Sequence, residues 1–332
     1  MPVTIKDIAR IAGVSHTTVS RALNGNPAIS QKTVDRIREI AQEMGYTPSA
    51  VAQSLLAQQT KTIGMVVTTI ADPFIVPVVE GVETAAQRAG YSVFLTTSHN
   101  DPDRELAVVE TLQRRRVDAI LITASRVGSL YSSQLDEIQV PIVLINNQET
   151  GKYLHSVTID DRQGPMLAMT HLIELGHRKI GYVDTANRPQ SSRLRATVYK
   201  EALSEIGVTY DPNLIISLPV KGDFNRGRAS LRPLLEAGAT AVFCYNDVTA
   251  IGLLSACHEQ GVKVPQELSI VGHDDIEAAQ YVFPQLTTVR QPSLQLGQLA
   301  MEMALDLLND KEVQDIVLPG EIAVRQSTAP LE

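Results

Sequence analysis

Hydrophobic patterning changes character near residue 60. Before that point apolar residues recur at helical spacing in short bursts; after it they come as continuous runs separated by helical stretches. In the first part Thr4, Ser15 and Ser30 each follow an apolar residue and precede another four positions on, giving the pairs Val3/Ile8, Val14/Val19 and Ile29/Val34. A side-chain oxygen so placed can accept an unpaired N–H of a first helical turn, and the flanking apolar pair staples the chain's entry. The pattern predicts helices from Ile5 to Ala12, His16 to Leu23 and Gln31 to Met44, broken by Gly13, Asn24-Gly25 and Gly45. Asp7 sits where it complements the positive end of the first helix.

Two short helices joined by a glycine-containing turn make a helix-turn-helix. On the second helix Val19, Ala22 and Leu23 face inward, while His16, Thr17, Ser20 and Arg21 face out. Short donors and acceptors with one arginine suit base edges in a major groove, where a guanidinium pairs with guanine O6 and N7. An ordinary solvated helix face is the alternative. Pro48 then stops the third helix, and Ser49 can cap a further helix of about two turns, Ala50 to Gln58. A helix that short is not stable alone in water, so this segment is expected to order on binding. A plain interdomain linker is the other reading.

From Thr62 onward the runs include Ile63–Val67, Val93–Leu95, Ala119–Ile122 and Ile142–Ile145. A second series follows: Lys179–Val183, Leu214–Ile216, Ala241–Cys244 and Leu268–Gly272. Continuous apolar strands alternating with helices predict parallel sheets covered by helices on both faces. So many strands exceed one comfortable sheet, which points to two α/β lobes. The expected organisation is a small all-α headpiece over 1–48, a hinge or linker over 49–60, and a two-lobed α/β body over 61–332. Lobe 1 takes about 61–160 and 292–320, and lobe 2 about 161–291 and 321–332.

Composition adds a limited amount. Formal net charge is −8 over 332 residues, yet residues 1–60 hold six Lys/Arg against four acids, a net of +2, leaving −10 for the rest. That split favours a phosphate-tolerant module on an acidic body, though it is weak by itself. No apolar run reaches the ~18 residues a bilayer crossing needs, and the first residues carry no signal-peptide core. A cytoplasmic protein is expected, without a membrane partner. Cys244 and Cys257 lack metal-like companions and read as reduced. No cofactor is expected. Gly-x-x-x-x-Gly-Lys-[Ser/Thr], His-Glu-x-x-His and Gly-x-Ser-x-Gly are all absent, and the seven His are scattered. The chain does not read as an enzyme.

The segments Thr4-Ile5-Lys6-Asp7-Ile8-Ala9, Ala12-Gly13-Val14-Ser15, Thr18-Val19-Ser20-Arg21-Ala22-Leu23-Asn24 and Gly45-Tyr46-Thr47-Pro48-Ser49-Ala50-Val51-Ala52-Gln53-Ser54-Leu55 resemble the headpiece of the lactose-repressor (LacI/GalR) family. The resemblance continues through the whole chain. It implies a DNA-contacting set of Thr4, Ser15, His16, Thr17, Thr18, Ser20, Arg21, Asn24 and Tyr46 in the headpiece. In the hinge it implies Ser49, Ala52, Gln53 and Leu55, with Leu55 wedging between base pairs in the minor groove. Gln53 departs from the arginine that many relatives carry there.

Polar residues cluster after the strands of the body, where open α/β sheets bind ligands. Family positions together with this placement give an effector set of Asp72, Phe74, Arg193, Arg195, Phe224, Asn246 and Asp274. Val198 departs from the family's glycine, and the loop after Phe224 is about two residues short. Helix capping is the competing role for Asn246 and Asp274, and the main one for Asp247. Arg114-Arg115-Arg116 reads as a helix C-terminus, and His177 as structural. The resemblance implies a homodimeric repressor on double-stranded operator DNA, controlled by a small-molecule effector such as a sugar or sugar phosphate. A two-lobed solute-binding protein is the alternative from another class; it accounts for the body but not for the stapled helices.

Overall fold

The computed structural model describes residues 3–46, 59–125, 127, 140–147, 155–185 and 188–331. It divides into two compact units, Met1–Thr62 and Ile63–Glu332. In the first, α1 (Ile5–Ala12), α2 (His16–Leu23) and α3 (Gln31–Glu43) enclose a core of Ile8, Ala12, Val19, Ala22, Val34 and Ile37. Ser15 Oγ accepts from the Thr18 N–H at 3.1 Å and Ser30 Oγ from the Thr33 N–H at 3.4 Å, fixing the starts of α2 and α3. At α1 the Thr4 backbone N–H and hydroxyl both donate to Asp7 Oδ2, at 3.1 and 2.7 Å. Those two bonds hold the Asp7 carboxyl below its ordinary range, the hydroxyl first.

The second unit contains two six-stranded sheets. The first sheet orders β11-β5-β4-β3-β1-β2, from β1 (Thr62–Val67), β2 (Ser92–Thr97), β3 (Ala119–Thr123), β4 (Ile142–Ile145), β5 (His155–Ile159) and β11 (Ile316–Leu318). The second orders β12-β10-β9-β8-β6-β7, from β6 (Ile180–Val183), β7 (Ile215–Ile216), β8 (Ala241–Cys244), β9 (Ser269–Asp274), β10 (Thr287–Arg290) and β12 (Glu321–Ala323). The pairings within each sheet for which register is defined are parallel except β10 with β12. The chain therefore passes between sheets after β5, after β10 and between β11 and β12.

Helices α4 (Ile75–Arg88) and α10 (Ser293–Leu308) cover one face of the first sheet, with Val78, Val82, Leu296, Ala300 and Met301 in its core, and α5 (Pro102–Arg114) covers the other with Val109 and Leu112. The second sheet carries α6 (Gln163–Glu174), α7 (Pro189–Glu205), α8 (Asp223–Glu236) and α9 (Asp247–Gln260). One helix pair in each lobe packs backbone to backbone through glycine. A Cβ on Gly81 would lie 2.1 Å from the Leu294 carbonyl oxygen, and one on Gly297 2.0 Å from that of Val78. In the other lobe Gly227 and Gly252 would meet the Thr249 and Phe224 oxygens at 1.9 and 2.0 Å. Only a residue lacking Cβ permits that approach. Among the described residues no helix is long and apolar enough to cross a membrane.

Candidate functional site

In the headpiece unit the side chains of His16, Thr17, Arg21 and Asn24 are exposed, and Ser20 is half-buried beside them. None of these four exposed groups contributes to the apolar core, so the outward face of α2 is free to read a partner. Ser15 and Thr18 are engaged locally: besides the cap, their hydroxyls share a hydrogen bond of 2.9 Å. Thr4 is exposed but spends its hydroxyl on Asp7, and Tyr46 packs against the headpiece core. Ser49, Ala52, Gln53 and Leu55 lie outside the described residues.

Between the two sheets of the body lies a cavity of about 260 Å³, lined from both. Asp72, Phe74, Arg193, Arg195, Asn246 and Asp274 all border it. Phe224 is not among the described lining residues. It stands at the start of α8 with 40 % of its surface exposed, because its backbone is held under Gly252 of α9. Phe74 borders the cavity while most of its surface is buried in the first lobe's core.

Sequence reasoning missed several lining groups: Asp161, Arg188, Tyr245 and Gln291, and the amides Asn100, Asn146, Asn147 and Gln190. Asp161 and Gln291 were findable in principle, since each sits where the chain passes between sheets. Asn100, Asn146 and Asn147 follow strands and look like ordinary turn residues, and Gln190 looks like any polar residue of a first helical turn.

Two arginines of the cavity face carboxylates. Arg188 Nη2 donates to Asp72 Oδ2 at 3.0 Å, joining the second lobe to the first. Asp72 Oδ1 meanwhile accepts the Phe74 N–H at 3.1 Å, which fixes the carboxylate. Arg195 is buried; its Nη2 donates to Asp161 Oδ1 at 3.0 Å and its Nη1 to the Tyr245 carbonyl at 2.5 Å. Its guanidinium lies 4.5 Å from the Tyr245 ring centroid, a cation–π arrangement. Burial opposes charge on Arg195, but Tyr245, Asp161 and Asp274 outweigh it and raise its pKa.

Asp274 ends β9 with φ 124 and Asp275 follows with φ 55, two successive residues in backbone territory that favours glycine. Gln291 Nε2 donates to Asp274 Oδ1 at 2.6 Å and lies 2.8 Å from His273 Nδ1. Burial, then the nearby Asp247 charge, pushes the Asp274 carboxyl well up. His273 is driven well down by burial and then by Arg195, so its imidazole is neutral.

Asn246 performs the capping role: its Oδ1 accepts the Thr249 N–H at 2.9 Å and hydroxyl at 2.7 Å. Its Nδ2 donates to Asp223 Oδ2 at 2.9 Å, and the residue borders the cavity. Asp247 is not the cap. It is buried and accepts the Ile276 N–H at 2.9 Å and the Thr288 hydroxyl at 2.5 Å, tying α9 to the strand ends. His177 bonds Thr240 and the Ala329 carbonyl at 3.0 and 3.1 Å, a structural role. Among the described residues no group of three or more His, Cys, Asp or Glu could hold a metal.

Comparison with known proteins places these parts together. Residues 4–49 match the model of bacterial regulatory proteins of the lacI family, and residues 169–328 a periplasmic binding protein-like domain. The chain is 34 % identical over 335 residues to the HTH-type transcriptional repressor PurR of Aliivibrio salmonicida, covering 99 % of each. It is 35 % identical over 334 residues to the ribose operon repressor of Haemophilus influenzae, again covering 99 % of each. Its fold matches the lac repressor dimer bound to operator and the anti-inducer ONPF, with TM-score 0.88 and 26 % identity over 99 % of this chain and 100 % of that one. A LacI family regulator from Enterococcus faecium with bound ribose matches with TM-score 0.74 and 31 % identity, over 82 % of this chain and 100 % of that one. The chain belongs to the lacI family of bacterial regulatory proteins, and is a DNA-binding transcriptional regulator rather than an enzyme.

Proposed function

We propose that this chain is a cytoplasmic repressor that binds a pseudopalindromic operator as a homodimer and releases or tightens its grip when a sugar or sugar derivative occupies the body. The observation that carries this reading is the cavity lined from both lobes, with Asp72 and Arg188 paired across it. A ligand touching both lobes favours one relative placement of them, which is how binding energy becomes a conformational signal. On the DNA side, each protomer presents His16, Thr17, Ser20 and Arg21 to one half-site, with Asn24 on the backbone. Leu55, Ser49, Ala52 and Gln53 serve the minor groove.

A two-fold dimer matches a two-fold operator. The body offers apolar surface that a second copy would cover: on β2, at the edge of its sheet, Phe94 is 50 % exposed, and Phe283 is 90 % exposed. An edge strand that carries exposed apolar side chains is a template for association, and on β2 Leu95 is exposed as well as Phe94. The operator-bound dimer of the lac repressor and the ribose-bound Enterococcus regulator support the same reading. A purine effector is the second reading, favoured by the resemblance to PurR repressors.

Selection of DNA from a random pool, followed by a gel-shift titration at ~150 mM salt, tests the DNA half. A pseudopalindrome should emerge and bind at least ~10³-fold more tightly than random DNA. Binding without sequence preference would refute it.

A further inference from the structure

The cavity's charge pattern narrows the ligand class beyond the reading above, on which this step rests. Its described lining holds the carboxylates Asp72 and Asp161, the Asp274 carboxyl that burial pushes toward its neutral form, and three guanidiniums, Arg188, Arg193 and Arg195. Arg188 is neutralised by Asp72 and Arg195 by Asp161, each at 3.0 Å, and Arg193 is engaged as well. A phosphate ester brings about 1.5 to 2 negative charges. Sites for such groups offer cations without competing carboxylates, or backbone N–H groups at a helix start. Here each arginine whose partner is defined already faces a carboxylate, so an entering phosphate would meet Asp72 and Asp161 as like charges.

A flat base fits no better. Bases are held by stacking on ring faces, and one face of Tyr245 is covered by the Arg195 guanidinium at 4.5 Å while the residue as a whole is only 5 % exposed. Phe74 is buried in the first lobe's core but for a small part of its surface, and Phe224 lies outside the described lining. What the cavity does offer is amide and carboxylate groups in number, suited to hydroxyls that both donate and accept. At about 260 Å³ the space is small for a ligand site.

We infer that the cleft takes an uncharged, unphosphorylated monosaccharide, and that Asp72 sets this specificity by neutralising Arg188 across the cleft. Asp72 acts twice: its carboxylate pairs the one arginine that reaches over from the second lobe, and it repels any anion seeking that arginine. Removing its charge should therefore convert Arg188 into a free anion site.

The test is calorimetric titration of the full chain with D-ribose, D-glucose, D-ribose 5-phosphate, D-glucose 6-phosphate and hypoxanthine, repeated on Asp72→Asn and Asp274→Ala. Binding of a free sugar at least 10-fold tighter than of its phosphate ester is expected. In D72N that preference should fall at least 10-fold, with the phosphate ester gaining affinity, while D274A should lose the free sugar. A wild-type preference for a phosphate ester or for hypoxanthine, abolished in D274A, would overturn this inference and leave the cleft reading standing. A free-sugar preference unchanged in D72N would overturn the role of Asp72. Binding of none of the five compounds would count against both the inference and the sugar reading. Circular dichroism of each variant separates lost binding from lost fold.

Discussion

Asp274 and Asp275 are neighbours in sequence that face opposite ways: Asp274 borders the cleft, whereas Asp275 turns inward and accepts Arg325 Nη2 at 2.5 Å. Arg290 Nε adds a second bond to Asp275 at 2.6 Å, and its Nη1 reaches Glu321 at 2.6 Å. Arg290 ends β10 and Glu321 begins β12, so the clamp joins two of the places where the chain passes between sheets. It also holds a backbone that Asp274 and Asp275 enter with positive φ. Asp275→Ala takes the carboxylate from the half-buried Arg325 and should cost about 1–3 kcal/mol, read by urea denaturation. Ligand affinity should fall with it in the milder Asp275→Asn, because Asp274 loses its aim. A cost under about 1 kcal/mol would mean that the turn holds itself.

The glycine pairs in the two lobes predict a different failure. Gly81→Ala or Gly297→Ala forces α4 and α10 apart, and Gly227→Ala or Gly252→Ala does the same to α8 and α9. The blocking atoms are backbone oxygens, which cannot swing aside as a side chain can. Each substitution should destabilise by about 1–3 kcal/mol or more. Thermal melting of the four variants beside Gly90→Ala, where a Cβ meets open space, separates the effect of contact from that of conformation.

Asp247 predicts a pH dependence. Burial is the largest influence on it and pushes its carboxyl from 3.8 up to about 7, against the opposing bonds from Thr288 and Ile276. The folded chain therefore holds a proton that the unfolded chain releases. Its contribution to stability is present below about pH 4, declines as pH rises toward 7, and is flat above. Burial of His171, His177 and His273 lowers their pKa values and adds a slope of opposite sign, so the informative quantity is a difference. Urea denaturation at pH 5 and pH 8 should show a smaller loss on raising pH in Asp247→Asn than in the parent. Equal losses would show that Asp247 is charged throughout.

Much of this was legible in sequence, and the exceptions have physical causes. Capping residues and staples marked α1, α2 and α3 because those signals are local. Eight strands showed as apolar runs. β10 did not, since Thr287, Thr288 and Arg290 make it look polar. Its threonines are nevertheless fully buried, and the Thr288 hydroxyl is satisfied by Asp247. β5, with His155, Ser156 and Thr158, was hidden in the same way. In the cleft, residues following apolar strands were found because strand ends are visible. Asp161 and Gln291 were not, because they follow β5 and β10, the strands that look polar, and Arg188 was not, because only the fold brings it to Asp72.

The headpiece makes its own prediction. Arg21 projects from α2 without contributing to the core, so Arg21→Ala should leave the melting temperature within about a degree while weakening operator binding by about 1–3 kcal/mol. Exchanging His16 and Thr17 for other residues should change which operator is preferred, read by selection from a random pool. Equal loss on all DNA sequences would assign Arg21 to phosphate rather than to a base.

The most direct measurement is operator affinity, by fluorescence anisotropy at ~150 mM salt, with and without a saturating monosaccharide that binds the cleft. Coupling of the usual size predicts a change of about 5- to 150-fold, lost in Asp274→Ala. Operator affinity that stays the same with the cleft saturated would contradict the account.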